Sequence, residues 1–469
     1  MSDTMTALPV VDQLPISLER DLRQLLGDRF SDSPSVRDVH GRDESYFPPR
    51  PPAAVVFPET TEEVSEIVRL AAADAVPLVP FGAGSSVEGH VLPVCGGISV
   101  DMTRMDRVLA VRPDDMDVTV EAGVTRKALE RRLAEHGLFF PIDPGADATL
   151  GGMTATGASG TNAVRYGTMR ENVLALRVVL ADGTIVDTGS RARKSSSGYD
   201  LTRLLVGSEG TLGIITEITL RVHGLPEARS SAVVSFPSVD EAVATAVEII
   251  QWGIPVARVE LLDELQISAV NQHSGLSLDE VPTLFLEFHG SERSVEEQAE
   301  TAEKIALEHG GTGFRWATDA ATRAELWQAR HDVYFADLAL RPGARVVSTD
   351  VCVPISRLAE CIRETKAQTD RASFPIPLVG HVGDGNFHLL MVIDPENSDE
   401  LDEAKRLNAA LVQRALAMGG TATGEHGIGL GKRMWLGLEH GAAVDVMRAV
   451  KRTLDPVGIL NPGKLFFET

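Results

Sequence analysis

Apolar positions recur along the chain with two different periods, which predict both helices and strands. Val64, Ile67, Val68 and Ala71 have the spacing of one helix face. Short apolar runs bounded by glycine, proline or acidic residues indicate strands. The first half is therefore predicted to contain strands at 53–57, 78–81, 97–102, 117–121 and 214–222, helices at 60–73 and 126–136, and a hairpin over 174–188 closed at Asp182 and Gly183.

The pattern changes near Gly224, where the glycine-rich turns stop. Beyond it, strands are predicted at 232–236, 283–288 and 346–353, and helices at 239–252, 295–309, 321–340, 355–370, 398–418 and 444–454. Such strand and helix pairs predict an antiparallel sheet covered by helices on one side. The fold class is therefore α+β, without the regular alternation of a doubly wound sheet.

Composition narrows the class of protein. The 469 residues exceed one compact core, and 43% hydrophobic with 24% charged residues is typical of a soluble globular enzyme. The formal net charge of −23 argues against nucleic acid as a partner. No apolar run reaches the ~18 residues of a transmembrane segment.

Cysteine usage and the first residues bear on the compartment. Cys95, Cys352 and Cys361 are too scattered for a disulfide framework, a zinc knuckle or an iron–sulfur relay. The first 21 residues lack the basic region and apolar core of a secretory leader. These features predict reduced thiols and a cytoplasmic protein. A position at the inner face of a membrane and a homodimer are left open.

Three segments are dense in glycine and small residues: 80–89, 141–166 and 207–213. Where glycine and alanine replace side chains, backbone N–H groups can approach a ligand closely. A strand that ends in such a turn can bind a diphosphate through successive amides. Three turns in one region indicate one long, phosphate-bearing cofactor, with a flexible linker as the alternative for 141–166.

Two histidines, His381 and His388, lie on either side of a predicted turn. His381 and His388 would face opposite sides of one straight strand. The run Gly-Asp-Gly-Asn at 383–386 signals a turn, so a hairpin could bring both imidazoles to one end. Glu425 and His426 add a carboxylate and another imidazole. Two histidines and one carboxylate suit a catalytic metal site with open positions, and hydrogen-bonded interior histidines are the alternative.

Long motifs carry a family resemblance. The first half contains PFGAGSS, PGADATLGGMTATGASG and GSEGTLGIITEITL, which resemble the FAD-binding domain of vanillyl-alcohol-oxidase-type flavoproteins. The second half contains STDVCVPISRL, GHVGDGNFH, GTATGEHGIG and LDPVGILNPGKLF. They narrow the resemblance to the D-lactate dehydrogenase and D-2-hydroxyacid dehydrogenase branch, which includes the flavin subunit of glycolate oxidase. The resemblance extends from about residue 53 onwards.

The resemblance implies a domain plan and a cofactor. A vanillyl-alcohol-oxidase-type (PCMH) FAD-binding domain is expected at 1–224, an antiparallel-sheet-and-helix cap for substrate at 225–418, and a segment returning to the first domain at 419–469. FAD is expected to be non-covalent, because Ser85 stands where relatives with tethered flavin have histidine. The residues expected to bind it are Phe81, Gly82, Ala83, Gly84, Ser85, Ser86, Pro144, Gly145, Thr149, Gly151, Gly152, Thr156, Ser159, Gly160, Asn162, Tyr166, Glu209, Gly213, Ile214, Ile215 and Asn461.

The resemblance also implies catalytic roles. His381, His388 and Glu425 match the ligands of a divalent metal, zinc or manganese, and His426 matches the base. Arg330, on the predicted helix at 321–340, matches an arginine that grips the substrate carboxylate. A solvated helix-face arginine is the alternative. Tyr334, one turn later, would point the same way and is expected to contact substrate.

The implied reaction is FAD-dependent oxidation of a D-2-hydroxy acid, similar to D-lactate, to the 2-oxo acid. The metal holds the substrate, His426 removes the hydroxyl proton, and the Cα hydride passes to the flavin. Electrons then leave to a quinone, a cytochrome or another flavoprotein.

Two alternatives stay open at this point. One is a glycolate oxidase flavin subunit that needs partner chains. The other is a non-redox flavoenzyme of the alkyl-dihydroxyacetone-phosphate synthase type, which shares the FAD domain. Arg345, where close relatives tend to have lysine, departs from the family pattern and leaves the substrate size open.

Overall fold

The computed structural model describes residues 9–467, which form two compact units. Unit 1 contains Met1–Ser159, Gly167–Leu225 and Glu425–Thr469, and unit 2 contains Gly160–Tyr166 and Pro226–Gly424. The short segment Gly160–Tyr166 thus belongs to the unit built from the middle of the chain. Residues 1–8, part of the stretch searched for a leader, lie outside the described residues.

Unit 1 combines short strands with helices from both ends of the chain. Its helices are α1 (Ile16–Leu26), α2 (Pro34–Val39), α3 (Thr61–Ala73), α4 (Arg126–Ala134), α5 (Leu150–Thr156), α7 (Met169–Asn172), α8 (Leu201–Leu205), α16 (Arg433–His440) and α17 (Ala443–Leu454). Its strands are β1 (Phe30–Ser31), β2 (Ala54–Val56), β3 (Leu78–Phe81), β4 (Ile98–Asp101), β5 (Val108–Arg112), β6 (Asp117–Glu121), β7 (Leu138–Phe139), β8 (Val173–Val179), β9 (Ile185–Asp187), β10 (Ile214–Arg221) and β11 (His223–Gly224).

Two sheets organise unit 1. One has the order β1-β2-β4-β3, with β2 and β3 parallel to β4, and the other is antiparallel with the order β5-β6-β10-β8-β9. The predicted hairpin is confirmed as β8 and β9, whose turn is closed by a 2.8 Å hydrogen bond from the Thr184 N–H to Asp182 Oδ1. Thr60 caps α3 by accepting from the Glu63 N–H at 3.1 Å. The core of the unit lies between these sheets and α1, α3 and α4.

Unit 2 is built on one large sheet. Its helices are α6 (Ala163–Tyr166), α9 (Val239–Gln251), α10 (Glu264–Ser274), α11 (Glu292–Glu308), α12 (Ala320–His331), α13 (Val333–Leu340), α14 (Leu358–Thr369) and α15 (Ser398–Ala417). Its strands are β12 (Ala228–Ser235), β13 (Val256–Leu262), β14 (Thr283–Gly290), β15 (Thr312–Ala317), β16 (Arg345–Ser348), β17 (Val351–Cys352), β18 (Leu378–His381) and β19 (Asn386–Ile393). The strand order is β15-β12-β14-β13-β18-β19-β16, antiparallel throughout, and β17 also pairs with β19.

Helices cover both faces of the unit 2 sheet, so the prediction of a single covered side is wrong. Phe285 of β14 packs in one cluster with Trp327 of α12 and Val333 of α13. From the other face, α11 packs on β12 and β14. A strand buried on both faces shows no polar alternation, and β14 is buried at every position over 283–289.

Two predicted elements are divided in the structure. The helix over 321–340 is α12 and α13, which meet at Asp332, whose carboxylate accepts from Gln328 Nε2 at 2.7 Å. The strand over 346–353 is β16 and β17, separated by the buried Asp350. Both breaks fall at acidic residues whose carboxylates are bound by other side chains, and an apolar pattern does not reveal such bonds.

Strands β13 and β15 and helix α10 are among the elements of unit 2 that fall where the sequence pattern predicts no element. Strand β13 has the sequence VARVELL and is buried along almost its whole length. Arg258 and Glu260 place charged groups on one face of this buried strand, so its pattern does not read as a core strand. Among residues 9–467, no helix is long and apolar enough to cross a membrane.

The packing of α13 against α10 buries a carboxyl group. Asp337 has 0% of its surface exposed, and its Oδ1 accepts from Gln266 Nε2 at 2.7 Å. Asp337 Oδ2 and Gln266 Oε1 have no hydrogen-bond partner in the described part of the chain. Burial raises the pKa of Asp337 from 3.8 to about 7. The folded state therefore holds this proton more tightly than the unfolded chain does.

Asp337→Asn should stabilise the protein above neutral pH. Because the folded pKa is raised, the wild type loses stability as pH rises from 3.8 to about 7, by roughly 4 kcal/mol at most. An amide at 337 carries no charge and can donate to Gln266 Oε1. We expect thermal unfolding at pH 8 to shift upward by roughly 3 °C or more, with little shift at pH 4. Asp402→Asn, at a carboxyl that is 75% exposed, is the matched control. Equal behaviour of both variants at pH 8 would contradict the expectation.

Candidate functional site

The first and third glycine-dense turns both contact α5, which belongs to the second, and all of these contacts lie within unit 1. A Cβ on Gly82 would lie 2.2 Å from Thr149 Oγ1, so the first turn packs directly on the residue that caps α5. The third turn attaches to the other end of α5, where Ala155 O accepts from the Glu209 N–H at 2.8 Å. One compact region of unit 1 therefore carries the first turn, α5 and the third turn.

Backbone N–H groups in these turns differ in what they bind. The N–H groups of Leu150 and Gly151 donate to the carbonyls of Val124 and Ala122, both at 2.8 Å. The start of α5 is thus occupied by protein. By contrast, the amides of residues 83–85 make no hydrogen bond to a protein acceptor within residues 9–467. Successive amides in a turn form an anion-binding concavity, so this turn is suited to a phosphate.

Close packing explains other predicted cofactor residues in unit 1. Ser86 Oγ donates to Asp43 Oδ2 at 2.7 Å, which fastens the first turn to the N-terminal segment. A Cβ on Gly213 would lie 2.4 Å from Val178 Cγ1, so this glycine is required for packing. The other residues predicted here are Phe81, Ala83, Gly84, Ser85, Pro144, Gly145, Gly152, Thr156, Ser159, Ile214 and Ile215. Their contacts with a cofactor stay predictions.

Three predicted cofactor residues, Gly160, Asn162 and Tyr166, belong to unit 2. Asn162 Oδ1 accepts from Arg258 Nε at 3.2 Å. The Tyr166 hydroxyl lies 2.8 Å from His289 Nδ1, and burial raises the pKa of this phenol. These side chains are thus held by the sheet of unit 2.

Glu209 connects the third turn to the C-terminal segment. It adopts a left-handed backbone with φ +55° and is 4% exposed. Its carboxylate accepts from the N–H groups of Ile428 and Gly429 at 2.7 and 2.9 Å, and lies 3.4 Å from His90 Nε2. Burial opposes its ionisation, but His90 and the two amides outweigh it and hold the pKa of Glu209 below its usual range. Asn461 also binds here, donating to Glu209 O at 2.7 Å.

His426 lies on the loop that Glu209 fastens. The next residue, Gly427, has φ +84°, and a Cβ there would lie 2.8 Å from His90 Nε2. His426 Nδ1 lies 3.9 Å from Glu88 Oε1, and Nε2 lies 3.9 Å from Glu425 Oε1. Two carboxylates therefore stand near the ring, one toward each nitrogen.

In unit 2, the predicted hairpin is confirmed and aligns the two histidines. Strands β18 and β19 pair with His381 opposite Asn386 and His388 opposite Val379. Residues 379 and 381 share one face of β18, so the imidazoles are diagonal neighbours. Their ring centroids are 5.4 Å apart. The hairpin register, and not the sequence separation, brings them together.

Hydrogen bonds fix how each imidazole is presented. His381 Nδ1 lies 2.6 Å from Glu260 Oε1, and His388 Nδ1 lies 2.8 Å from Thr349 O. Ring nitrogens bonded in this way to a carboxylate or a carbonyl carry the proton, which puts the lone pair on Nε2. Ligand atoms of His381 and His388 lie within 4.8 Å of each other. This donor set fits a divalent metal.

Glu260, which sequence reasoning missed, joins the metal-site candidate to Arg330. Its side chain is 0% exposed, and Oε2 accepts from Arg330 Nε at 2.7 Å. Burial disfavours the charged form, yet His381 and Arg330 outweigh it and keep the pKa of Glu260 below its usual range. The only signal for Glu260 in the sequence was a charged residue within the largely apolar run VARVELL.

Tyr334 and Arg330 do not lie on one continuous helix. Arg330 is on α12 with a side chain 19% exposed, whereas Tyr334 is on α13 and 50% exposed beside Phe335. The expectation that one helical turn would align them is wrong, because the chain breaks at Asp332. A substrate contact for Tyr334 stays a prediction.

Comparisons with known proteins identify the family of this chain. A family model described as FAD binding domain matches residues 52–189, and one described as FAD linked oxidases, C-terminal domain, matches residues 225–465. The chain is 54% identical to the probable mitochondrial D-lactate dehydrogenase of Danio rerio, covering 94% of this chain and 90% of that protein. The chain belongs to the FAD-linked D-lactate dehydrogenase family.

Two further relatives show the breadth of this family. The mitochondrial D-lactate dehydrogenase (cytochrome) of Arabidopsis thaliana is 47% identical, over 97% of this chain and 80% of its own length. Glycolate oxidase subunit GlcD of Bacillus subtilis is 32% identical, over 96% of each chain. The family member described here is thus an FAD-binding oxidoreductase.

Solved structures confirm the predicted fold. Alkyldihydroxyacetonephosphate synthase has a TM-score of 0.77 at 23% identity, covering 98% of this chain and 89% of that one. p-Cresol methylhydroxylase has a TM-score of 0.76 at 16% identity, covering 98% and 99%. At these identities the likeness shows the fold alone, which is the expected vanillyl-alcohol-oxidase type.

The expectation of a cytoplasmic protein is wrong. The Danio rerio and Arabidopsis thaliana relatives are both named as mitochondrial. Scattered reduced thiols indicate a reducing environment. More than one compartment provides such an environment, so the cysteines could not identify the cytoplasm.

Gly82→Ala should weaken FAD binding. The added Cβ would collide with Thr149 Oγ1 and push the first turn off the α5 cap. Overpacking of this kind costs roughly 1–3 kcal/mol, so the FAD dissociation constant of the apoprotein should rise about tenfold or more by fluorescence titration. Gly437→Ala, in α16 with nothing within 4 Å of the new Cβ, is the control. An unchanged constant for Gly82→Ala would show that the turn does not set the affinity.

Proposed function

We propose that the chain oxidises a D-2-hydroxy acid, with D-lactate as the first candidate, to the corresponding 2-oxo acid. The observation that carries the proposal is the shared carboxylate of Glu260, which binds both Arg330 and His381. A cation for a substrate carboxylate thus stands beside an imidazole that can hold a metal. The names of the Danio rerio and Arabidopsis thaliana relatives support D-lactate as the substrate.

FAD would be held by the amides of residues 83–85 at its phosphates and by the other glycine turns along its length. When bound, FAD supplies the hydride acceptor. Bonding would be non-covalent, since Ser85 in this turn has no side chain that commonly tethers flavin. His90, which is 4% exposed and lies 3.4 Å from Glu209 inside unit 1, would not serve as a tether.

A divalent metal, zinc or manganese, would be held by His381, His388 and Glu425. It would lower the pKa of a hydroxyl group in its coordination sphere. Arg330 keeps one guanidinium edge bound to Glu260 through Nε, and its terminal N–H groups can grip the carboxylate of a 2-hydroxy acid. Substrate orientation therefore depends on α12 and on the β18–β19 hairpin.

His426 would act as the base. Its Nε2 faces Glu425, the proposed metal ligand, and is the nitrogen placed to take the hydroxyl proton. Its Nδ1 faces Glu88, whose negative charge favours the imidazolium that forms. Lys432 Nζ lies 3.3 Å from Glu88 Oε1, so this carboxylate is itself held in place.

Electrons would leave the flavin to an outside acceptor. The name of the Arabidopsis thaliana relative favours a cytochrome among the acceptors considered. The likeness to GlcD keeps a glycolate oxidase subunit as the second candidate. The non-redox synthase is not favoured, since that likeness concerns the fold alone.

D-Lactate should bleach the flavin under anaerobic conditions, and L-lactate should not. The enzyme is mixed in turn with D-lactate, L-lactate, D-2-hydroxyglutarate and glycolate, and the visible flavin absorbance is followed. Removal of the metal with a chelator should abolish the bleaching, and added zinc or manganese should restore it. If D-2-hydroxyglutarate alone bleached the flavin, this acid and not D-lactate would be the substrate. No bleaching with FAD and metal both present would favour a subunit that needs partner chains.

His426→Ala should stop flavin reduction while leaving FAD bound. Loss of a general base slows the proton-transfer step by roughly 10²–10⁴-fold. The measurement is the stopped-flow rate of flavin reduction at saturating substrate, with the bound FAD quantified separately. His136→Ala, at an exposed histidine of unit 1, serves as control. A normal reduction rate in His426→Ala would remove this residue as the base.

A further inference from the structure

We infer that Glu260 is a positioning residue that sets both the metal affinity of His381 and the carboxylate grip of Arg330. The inference rests on the proposed function, since it takes those roles for the two partners. In this role Glu260 would work through its two partners and not on the substrate itself. It acts through two hydrogen bonds from one buried carboxylate, at 2.6 and 2.7 Å.

The bond to His381 selects the tautomer. With the proton on Nδ1, shared with Glu260 Oε1, the Nε2 lone pair points away from β13. A carboxylate behind a ligating imidazole also raises its basicity, and removing such a partner typically weakens metal binding ~10–100-fold. His388 is oriented by a backbone carbonyl instead, so of the two rings only His381 depends on a side chain for this.

The bond to Arg330 fixes the guanidinium. Arginine has many rotamers, and Glu260 Oε2 holds its Nε edge in one of them. The Arg330 side chain is itself only 19% exposed, so its ion pair with Glu260 is largely shielded from water. The carboxylate therefore reduces the entropy that substrate binding would otherwise cost, which acts on KM more than on the chemical step.

Strand register makes the coupling possible. Glu260 of β13 lies directly opposite His381 of β18 in the antiparallel ladder. Arg330 reaches the same carboxylate from α12, which covers this face of the sheet. Because Glu260 is 0% exposed, water cannot replace either bond, so both partners depend on this side chain.

The test compares Glu260→Gln with Glu287→Gln. Glutamine has the same shape but replaces one oxygen with a donor, so it cannot accept from both His381 and Arg330. Glu287 is a matched control, because it is also buried, at 5% exposure, and its Oε1 lies 2.6 Å from His289 Nε2 on the neighbouring strand β14. Folding of both variants is checked by thermal unfolding.

We expect Glu260→Gln to weaken zinc or manganese binding ~10–100-fold in a chelator competition. KM for D-lactate, measured with saturating metal, should rise about tenfold or more, with a smaller change in kcat. Glu287→Gln should leave both values within twofold. Equal losses in the two variants, or unchanged values in Glu260→Gln, would overturn the inference.

Histidine NMR separates this inference from the proposed function. In the wild type with ¹⁵N-labelled histidine, His381 should carry its proton on Nδ1, and Glu260→Gln should alter that signal. A proton on Nε2 in the metal-free wild type would overturn the inference without reference to activity. A wild type that binds no metal and is not reduced by D-lactate would instead refute the proposed function, whatever the tautomer.

Discussion

Two buried carboxylates, Glu209 in unit 1 and Glu260 in unit 2, set the constraint on which both units depend. A carboxylate removed from water needs hydrogen-bond donors, because an uncompensated buried charge would remove much of the free energy that stabilises the fold. Glu209 finds the amides of residues 428 and 429, and Glu260 finds His381 and Arg330. Each requirement joins segments that lie more than 60 residues apart in the chain.

The partners of these carboxylates are the residues with proposed catalytic roles. His426 lies on the loop whose backbone Glu209 holds, and Arg330 and His381 share the carboxylate of Glu260. Charged groups held in this way lose rotamer freedom during folding, before any ligand binds. Preorganisation of this kind makes later binding less costly in entropy. In each unit, the hydrogen bonds that stabilise the buried carboxylate also position residues of the candidate site.

Glycine serves two purposes in unit 1. At residues 83–85, small side chains leave amides with no protein acceptor among the described residues, as a phosphate site requires. At Gly82, Gly151 and Gly213, a Cβ would lie within 2.7 Å of a neighbouring atom, so packing alone demands glycine. The density of glycine along the sequence indicated a cofactor region but could not separate these two purposes, because both appear as the same residue type.

The sequence by itself determined the family, the α+β fold class, the glycine turns and the β18–β19 hairpin, because turn chemistry and strand periodicity are local. It did not predict β13, the break at Asp332 or the helices on both faces of the sheet. The role of Glu260 could not be predicted for the same reason, because it depends on the register of β13 against β18 and on the approach of α12. Only tertiary packing brings those groups within hydrogen-bond distance, and only burial makes that contact necessary.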